Sequence, residues 1–267
     1  MNYLKKFDLS KKVAVVTGGS GLLGKMHCEA LAEVGASVVI FDINRKKSIK
    51  FKKFLEKKYN NNFYQFTGSV DSEKDIKKLL NYLKKNKLSV DVLINNAALN
   101  PKFQIQKNNS LENFDLKQWN KEISVGLTGV FLCSKIIGAT MKKKGGVIIN
   151  ISSDLGIIAP DQRIYETKSS NFKKPITYSA IKHGVIGITK YLSTYYAEFG
   201  IRSNCLCPGG VLDQQEETFV KKVSQLIPMK RMANVNEYKS AIQFLSSDAS
   251  SYMNGSVLII DGGRTAW

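Results

Sequence analysis

Only five prolines and four cysteines occur in 267 residues, and histidine and tryptophan contribute two each. With so few prolines and no Pro- or Ser-rich stretch, no interdomain linker is marked, so residues 1–267 are expected to bury one core as a single domain. Cys28, Cys133, Cys205 and Cys207 fall in apolar segments, and Cys205-Leu206-Cys207 lacks the second pair that a zinc site requires. Reduced core thiols and no metal site are therefore expected. No stretch approaches the roughly 18 apolar residues that span a bilayer. Met1 to Lys12 carry no apolar run, so a soluble, cytoplasmic protein off the membrane is expected.

Arginine is scarce as well, supplying 5 of 40 basic residues, although the net charge is +18. Such a charge is the usual footprint of a nucleic-acid binder. Here the lysines are scattered and aromatic residues are not interleaved with them, as a single-strand groove would require. Lys46 to Lys58 and Lys74 to Lys85 alternate lysines with Phe, Ile and Leu, the pattern of a solvated face over a buried stripe. No nucleic-acid partner is expected.

What the chain does have is alternation. Apolar, β-branched runs occur at Val13 to Thr17, Ser37 to Phe41, Phe63 to Thr67, Val90 to Ile94, Val147 to Ile151, Ile201 to Leu206 and Val257 to Ile260. Helical patterns lie between them at Leu22 to Val34, Arg45 to Tyr59, Glu73 to Lys85, Leu116 to Lys143, Tyr178 to Phe199 and Val235 to Leu245. This order implies an α/β, Rossmann-like doubly wound sheet of about seven parallel strands with helices on both faces. Ligands bind such sheets beyond the carboxyl ends of the strands. Three long segments follow strands: Ala97 to Asp115, Ser152 to Thr177 and Pro208 to Glu217.

Two motifs carry chemistry. Thr17-Gly18-Gly19-Ser20-Gly21-Leu22-Leu23-Gly24 follows the first strand and opens a helix, where backbone N–H groups hold a pyrophosphate. Asp42 ends the second strand, 18 residues after Gly24, placed to accept both hydroxyls of an adenine ribose and to repel a 2′-phosphate; NAD is expected over NADP, even with Arg45 and Lys46 close by. Asp42 could alternatively cap the helix that starts near Arg45. Tyr178-Ser179-Ala180-Ile181-Lys182 puts a phenol and an ammonium on one helix face. With this composition about one Tyr-x-x-x-Lys is expected by chance, so the weight lies in its position after the fifth strand. A lysine one turn away favours the phenolate, as a group that moves a proton near neutral pH requires.

These residues resemble the short-chain dehydrogenase/reductase family, in its single-domain branch, over nearly the whole chain. Five motifs match in order: the glycine loop, Asn95-Asn96-Ala97-Ala98, Ile151-Ser152-Ser153, Tyr178 to Lys182, and Pro208-Gly209. The resemblance implies Tyr178 as general acid/base, Lys182 as its pKa-lowering partner and ribose ligand, and Ser153 as the hydroxyl that polarises a carbonyl. It implies cofactor contacts at Gly18, Gly19, Ser20, Gly21, Leu23, Gly24, Asp42, Val70, Asn95, Ala97, Tyr178, Lys182, Pro208, Gly209 and Val211. It also implies a homotetramer, or a homodimer, and apolar surplus at Ile186, Ile188, Tyr191, Tyr195 and Tyr196 agrees with a buried subunit interface that the Trp267 segment would help to form.

The chain departs from the family pattern in four places. The glycines fall at Gly18, Gly21 and Gly24 with Leu22 where the branch has glycine; Ser69 replaces an aspartate near the adenine; Asp213 replaces a threonine near the carboxamide; and Gly126 stands where an asparagine helps to hold a relay water. Altered efficiency is expected from Gly126. Between Ser153 and Tyr178 lies a polar insert, at about 154–177, whose Arg163, Tyr165 and Lys168 are expected to contact the substrate. The insert, Gly126 and the ending Asp261 to Trp267 are similar to a sub-branch linked to bacterial surface-sugar and nonulosonate pathways. The expected activity is ketone/secondary-alcohol interconversion on a small sugar-like or polar substrate. A 3-oxoacyl-carrier-type reductase and a cofactor-binding regulator without turnover are the alternatives.

Overall fold

The computed structural model describes residues 3–99, 110–167 and 170–267. Seven strands form one parallel sheet: β1 (Val13–Thr17), β2 (Ser37–Asp42), β3 (Phe63–Thr67), β4 (Val92–Asn95), β5 (Gly146–Ile151), β8 (Ile201–Pro208) and β9 (Val257–Ile260). Their order is β3-β2-β1-β4-β5-β8-β9, so the winding reverses between β1 and β4. Two-residue strands β6 (Glu166–Thr167) and β7 (Ser170–Asn171) pair antiparallel outside the sheet.

The inner strands are near-continuous apolar runs because both faces are covered. Ala14, Val16, Val38, Ile40, Ile94 and Ile149 point to one face, against Cys28 and Leu31 of α1 (Leu22–Glu33), Phe51 and Leu55 of α2 (Arg45–Lys58), and Ile242 and Leu245 of α8 (Lys239–Ser246). The alternate residues Val15, Val39, Phe41, Leu93 and Ile148 meet Ile76 and Leu79 of α3 (Glu73–Lys85), Ile137 and Met141 of α5 (Gly129–Met141), and Leu192 of α6 (Ile176–Tyr195). The period of two in burial fixes the register of every strand.

The helix expected over Leu116 to Lys143 is continuous but not uniform. It comprises α4 (Leu116–Ile123), a π-helical turn at Ser124–Thr128, and α5. This Leu116–Met141 run is long and apolar enough to cross a bilayer, contrary to the expectation above, yet Leu132, Cys133, Ile137 and Met141 pack on the sheet. The segment after β8 contains a helix that the sequence patterns did not yield, α7 (Glu217–Gln225). All four cysteines are free and buried.

Candidate active site

At the point where the winding reverses, the chain turns from β1 into α1 through a loop held by backbone contacts. Gly18 has φ +61°, and a Cβ there would come within 2.9 Å of the Ala97 Cα. A Cβ on Gly24 would lie 2.1 Å from the Gly18 carbonyl oxygen, so only glycine lets α1 seat on the loop. Thr17 Oγ1 accepts the N–H groups of Asn96 and Ala97 at 2.9 and 3.0 Å, and Asn96 Nδ2 donates to the carbonyls of Thr17 and Gly18. Gly21 begins α1 without a side-chain cap, and Leu23 is half-buried in the first turn. A rigid loop ahead of an uncapped helix start fits the pyrophosphate of a dinucleotide. Gly19 lies over Val16 and Ile40, where a Cβ would be crowded.

Asp42 is buried at the end of β2. Its Oδ2 accepts the Ser20 N–H at 3.0 Å and the Ser20 hydroxyl at 2.8 Å, and its Oδ1 accepts the Asn44 N–H at 2.8 Å. Asn44, not Asp42, caps α2 by accepting from the Lys47 N–H, which removes the helix-cap reading of Asp42. Arg45 and Lys46 are exposed. Val70 is buried against Gly129, and Ser69, the replaced aspartate, donates to Asp71, whose other oxygen accepts from Ser124 in the π turn. Asn95 faces inward: its Nδ2 donates to Ser134 Oγ and Asn150 Oδ1, tying β4 to β5 and α5. Gly209, after Pro208, fits only without a Cβ, which would come within 2.7 Å of the Asp261 Cα; Val211 bridges to Ala233.

Beyond β5, the short turn Asp154–Gly156 abuts α6. Ser152 Oγ donates to the Lys182 carbonyl at 2.7 Å, and a Cβ on Gly156 would come within 2.8 Å of the same oxygen. This contact brings Ser153, Tyr178 and Lys182 together. The Ser153 hydroxyl donates to Asp154 Oδ1 at 2.7 Å and stands beside the Tyr178 phenol. Burial pushes that phenol up to about 12, opposed by the neighbouring Ser153 hydroxyl. Lys182 is buried, donates from Nζ to the Ile151 carbonyl at 3.0 Å, and lies 5.6 Å from the Tyr178 ring centroid. Desolvation brings its ammonium down to about 8.

A family model described as enoyl-(acyl carrier protein) reductase matches residues 20–265. A sorbose reductase of Candida albicans is 32% identical over 99% of this chain and 90% of its own. A 3-oxoacyl-(acyl-carrier-protein) reductase of Buchnera aphidicola is 32% identical, covering 96% of this chain and 98% of that protein. Among solved structures, a gluconate 5-dehydrogenase from Burkholderia cenocepacia in complex with NADP and tartrate superposes with a TM-score of 0.86 at 26% identity, over 99% of both chains. The chain belongs to the short-chain dehydrogenase/reductase family.

Within that family frame Gly126 has a structural cause. A Cβ at Gly126 would lie 2.9 Å from both Cδ1 and Cγ2 of Ile181, so the isoleucine beside Lys182 fills the space an asparagine side chain would need. The π turn around Gly126 absorbs one extra residue per turn next to the site. Asp213 is exposed, its N–H on Gln215 Oε1.

The insert is less polar in its anchoring than expected. Ile164, Tyr165 and Phe172 are buried in a separate apolar cluster with Val223 of α7, Ile227 and Met232. Tyr165 packs its ring on Phe172 and Phe219, and burial pushes its phenol up. Arg163 points away: its guanidinium grips Asp161 through two hydrogen bonds at 2.9 and 2.7 Å, with the side chain 86% exposed. The structure therefore does not bring Arg163 to Ser153 and Tyr178. Lys168 lies outside the described residues. Two residues that the sequence reading did not single out do reach the site. Lys174 Nζ stands 3.7 Å from the Tyr178 ring centroid, and Arg264, from the last turn of the chain, pairs with buried Asp154.

Proposed function

We propose that this protein is an NAD-dependent oxidoreductase that interconverts a ketone and a secondary alcohol on a sugar-like or otherwise polar substrate. The observation that carries the reading is Tyr178 held between the Ser153 hydroxyl and the Lys182 ammonium on one end of the sheet. When bound, the nicotinamide supplies or accepts the hydride. The residues handle the proton. In the cofactor-free protein the phenol sits near 12 and is protonated at neutral pH, the state that donates to a nascent alkoxide oxygen. For the reverse direction it must release the proton, and the Lys182 ammonium, still largely charged at pH 7, favours the phenolate. Ser153 donates its hydroxyl proton to Asp154 in the cofactor-free protein and would turn it to the carbonyl oxygen when substrate binds.

NAD over NADP rests on Asp42. Its carboxylate, fixed by Ser20 and Asn44, would sit against a 2′-phosphate. The gluconate dehydrogenase solved with NADP is the counter-case, so cofactor choice is a property to measure. The reading of a small polar substrate draws support from the sorbose reductase and the gluconate dehydrogenase; the narrower surface-sugar reading rests only on the resemblance of the insert, Gly126 and the C-terminal residues. The 3-oxoacyl reductase of Buchnera supports a second reading, which the Asp42 carboxylate opposes. A cytoplasmic homotetramer completes the proposal. Tyr191 and Tyr195 stack at 5.8 Å on the exposed side of α6, available to a second copy, whereas Tyr196 is buried and donates to the Ser134 carbonyl. The test is absorbance at the nicotinamide band with NADH and a panel of ketoses, keto acids and acyl-carrier thioesters. Turnover confined to the thioesters would replace the reading by the second one, and none on any ketone would end it.

A further inference from the structure

We propose that Lys174 is a substrate-binding residue that takes a carboxylate lying a few bonds from the reacting carbon, so that the substrate is a hydroxy acid or its keto acid. This rests on the reading of Tyr178 as the proton donor, and it names the substrate class for that site.

The insert positions Lys174 deliberately. Gln162 clamps its backbone twice, accepting the Lys174 N–H at 2.8 Å and donating to the Lys174 carbonyl at 3.2 Å. The insert itself is moored to α7 by Ile164, Tyr165 and Phe172. From that anchored backbone the ammonium lies on the face of the Tyr178 ring, 3.7 Å from its centroid, closer than Lys182 at 5.6 Å. An ammonium on a ring face is partly stripped of water, and the ring replaces only part of that hydration.

The carboxylates nearest Lys174 have closer partners of their own. Among the described residues, the charges that act on Lys174 are the Lys182 ammonium, which opposes it, and the Asp154 and Glu122 carboxylates, which favour it, while Asp154 in turn faces Arg264 and Asp261. Both carboxylates are committed elsewhere. Asp154 accepts from Ser153 and the Leu155 N–H and pairs with Arg264; Glu122 accepts from Thr177 and from Gln118. Among the described residues Lys174 forms no ion pair. Desolvation, with the Lys182 charge adding to it, brings its ammonium down to about 8, the behaviour of a cation awaiting a counter-charge. A carboxylate supplies that charge, and its place over the ring puts it beside the phenol that handles the proton. Neither Arg163, turned to solvent on Asp161, nor Lys182, on the Ile151 carbonyl, offers the same contact.

The probe pair is tartrate and threitol, which share a four-carbon diol and differ by carboxylate against hydroxymethyl at each end. Calorimetry on the full chain should show tartrate binding, at least tenfold weaker binding of threitol, a tenfold or greater loss of tartrate affinity in Lys174→Met, retention in Lys174→Arg, and no change in Arg163→Ala. In the wild-type protein labelled with 13C at lysine Cε, tartrate should move one resonance that Lys174→Arg lacks. Equal binding of both probes, no tartrate binding up to 100-fold molar excess, or an unchanged affinity in Lys174→Met would each overturn the proposal. Retained turnover in Tyr178→Phe would overturn the reading of Tyr178 as the proton donor and leave the tartrate result standing, so the two failures are distinguishable.

Discussion

Arg264 Nε lies 3.3 Å from Asp154 Oδ2 with both side chains buried, so the last turn of the chain neutralises the carboxylate that orients the Ser153 hydroxyl. Removing one partner of a buried pair leaves an uncompensated charge and costs about 3–5 kcal/mol. Arg264→Met should lower the urea midpoint accordingly at pH 7. The pH dependence has a definite sign. Burial already raises the Asp154 carboxyl in the folded state, so its contribution is favourable at low pH and is lost as pH rises through the folded value. Losing Arg264 raises it further, and the gap between variant and wild type should therefore narrow on acidification. A gap that is constant from pH 7 to pH 4 would remove the ion pair as the cause.

Cofactor choice should follow Asp42. NADH is expected to bind at least tenfold tighter than NADPH, about 1.4 kcal/mol, by titration of intrinsic fluorescence. Asp42→Ala should close most of that difference by gaining NADPH, because Arg45 and Lys46 at the exposed start of α2 then face a phosphate without an opposing charge. Ser20→Ala, which removes one of the two hydrogen bonds to Asp42 Oδ2, should keep the preference. Equal affinities in the wild type would mean that the carboxylate does not decide the ribose end.

Tyr178→Phe deletes a hydroxyl and little volume. Turnover should fall by about 10²–10⁴-fold, the usual contribution of a proton-transfer group, with NADH affinity within twofold of wild type. Lys182→Ala should damage both, since the buried ammonium serves the phenol and lies where the ribose is expected. A Tyr178→Phe enzyme retaining a tenth of its kcat would dissociate the phenol from the chemistry.

The five inner strands were legible because each is an apolar run buried on both faces, and such runs announce themselves without tertiary information; the edge strands β3 and β9 are only partly buried and were legible from their β-branched and aromatic residues. Boundaries moved by at most two residues, as at Val92 against Val90. Helix α7 was missed because its apolar residues Phe219, Val220 and Val223 pack in a cluster with the insert, Ile227 and Met232, separate from the clusters on the sheet and invisible until the chain is folded. The π turn left no trace either, since Gly126 is explained by Ile181, more than fifty positions later. Site residues inside contiguous motifs were found. Those that act from a distance were not: nothing local separates Lys174 from 34 other lysines, and Arg163 looked equally apt until Asp161, two residues before it, took its charge.

Two lysines should betray the site by titration. Lys174 and Lys182 are both brought down to about 8 by desolvation, so in the cofactor-free protein two of the lysine Cε resonances should titrate near pH 8. Their folded values lie below the unfolded ones. The unfolded chain therefore binds protons that the folded chain does not between about pH 8 and 10.5, and these two groups should make stability rise with pH across that window. Lys182→Met should delete one of the two resonances and move the other to higher pH, because the Lys182 charge contributes to the Lys174 shift. A spectrum with every lysine titrating together would show that neither ammonium is desolvated as the packing implies.

Restoring the family asparagine should fail unless Ile181 yields. Gly126 is buried in the π turn, and the first atom of any side chain would meet two carbons of Ile181 at 2.9 Å. Gly126→Asn alone overpacks that contact, so a loss of about 1–3 kcal/mol in unfolding free energy is expected, together with reduced kcat as Ile181 is pushed along α6 toward Lys182. Gly126→Asn with Ile181→Ala removes the clash, leaves a cavity too polar to stay dry, and gives the amide room beside the helix carbonyls. The double variant should therefore recover kcat relative to Gly126→Asn, with a coupling energy between the two positions of at least about 0.5 kcal/mol in a double-mutant cycle. Strict additivity of the two substitutions, in stability and in kcat, would show that Ile181 is not what excludes the asparagine.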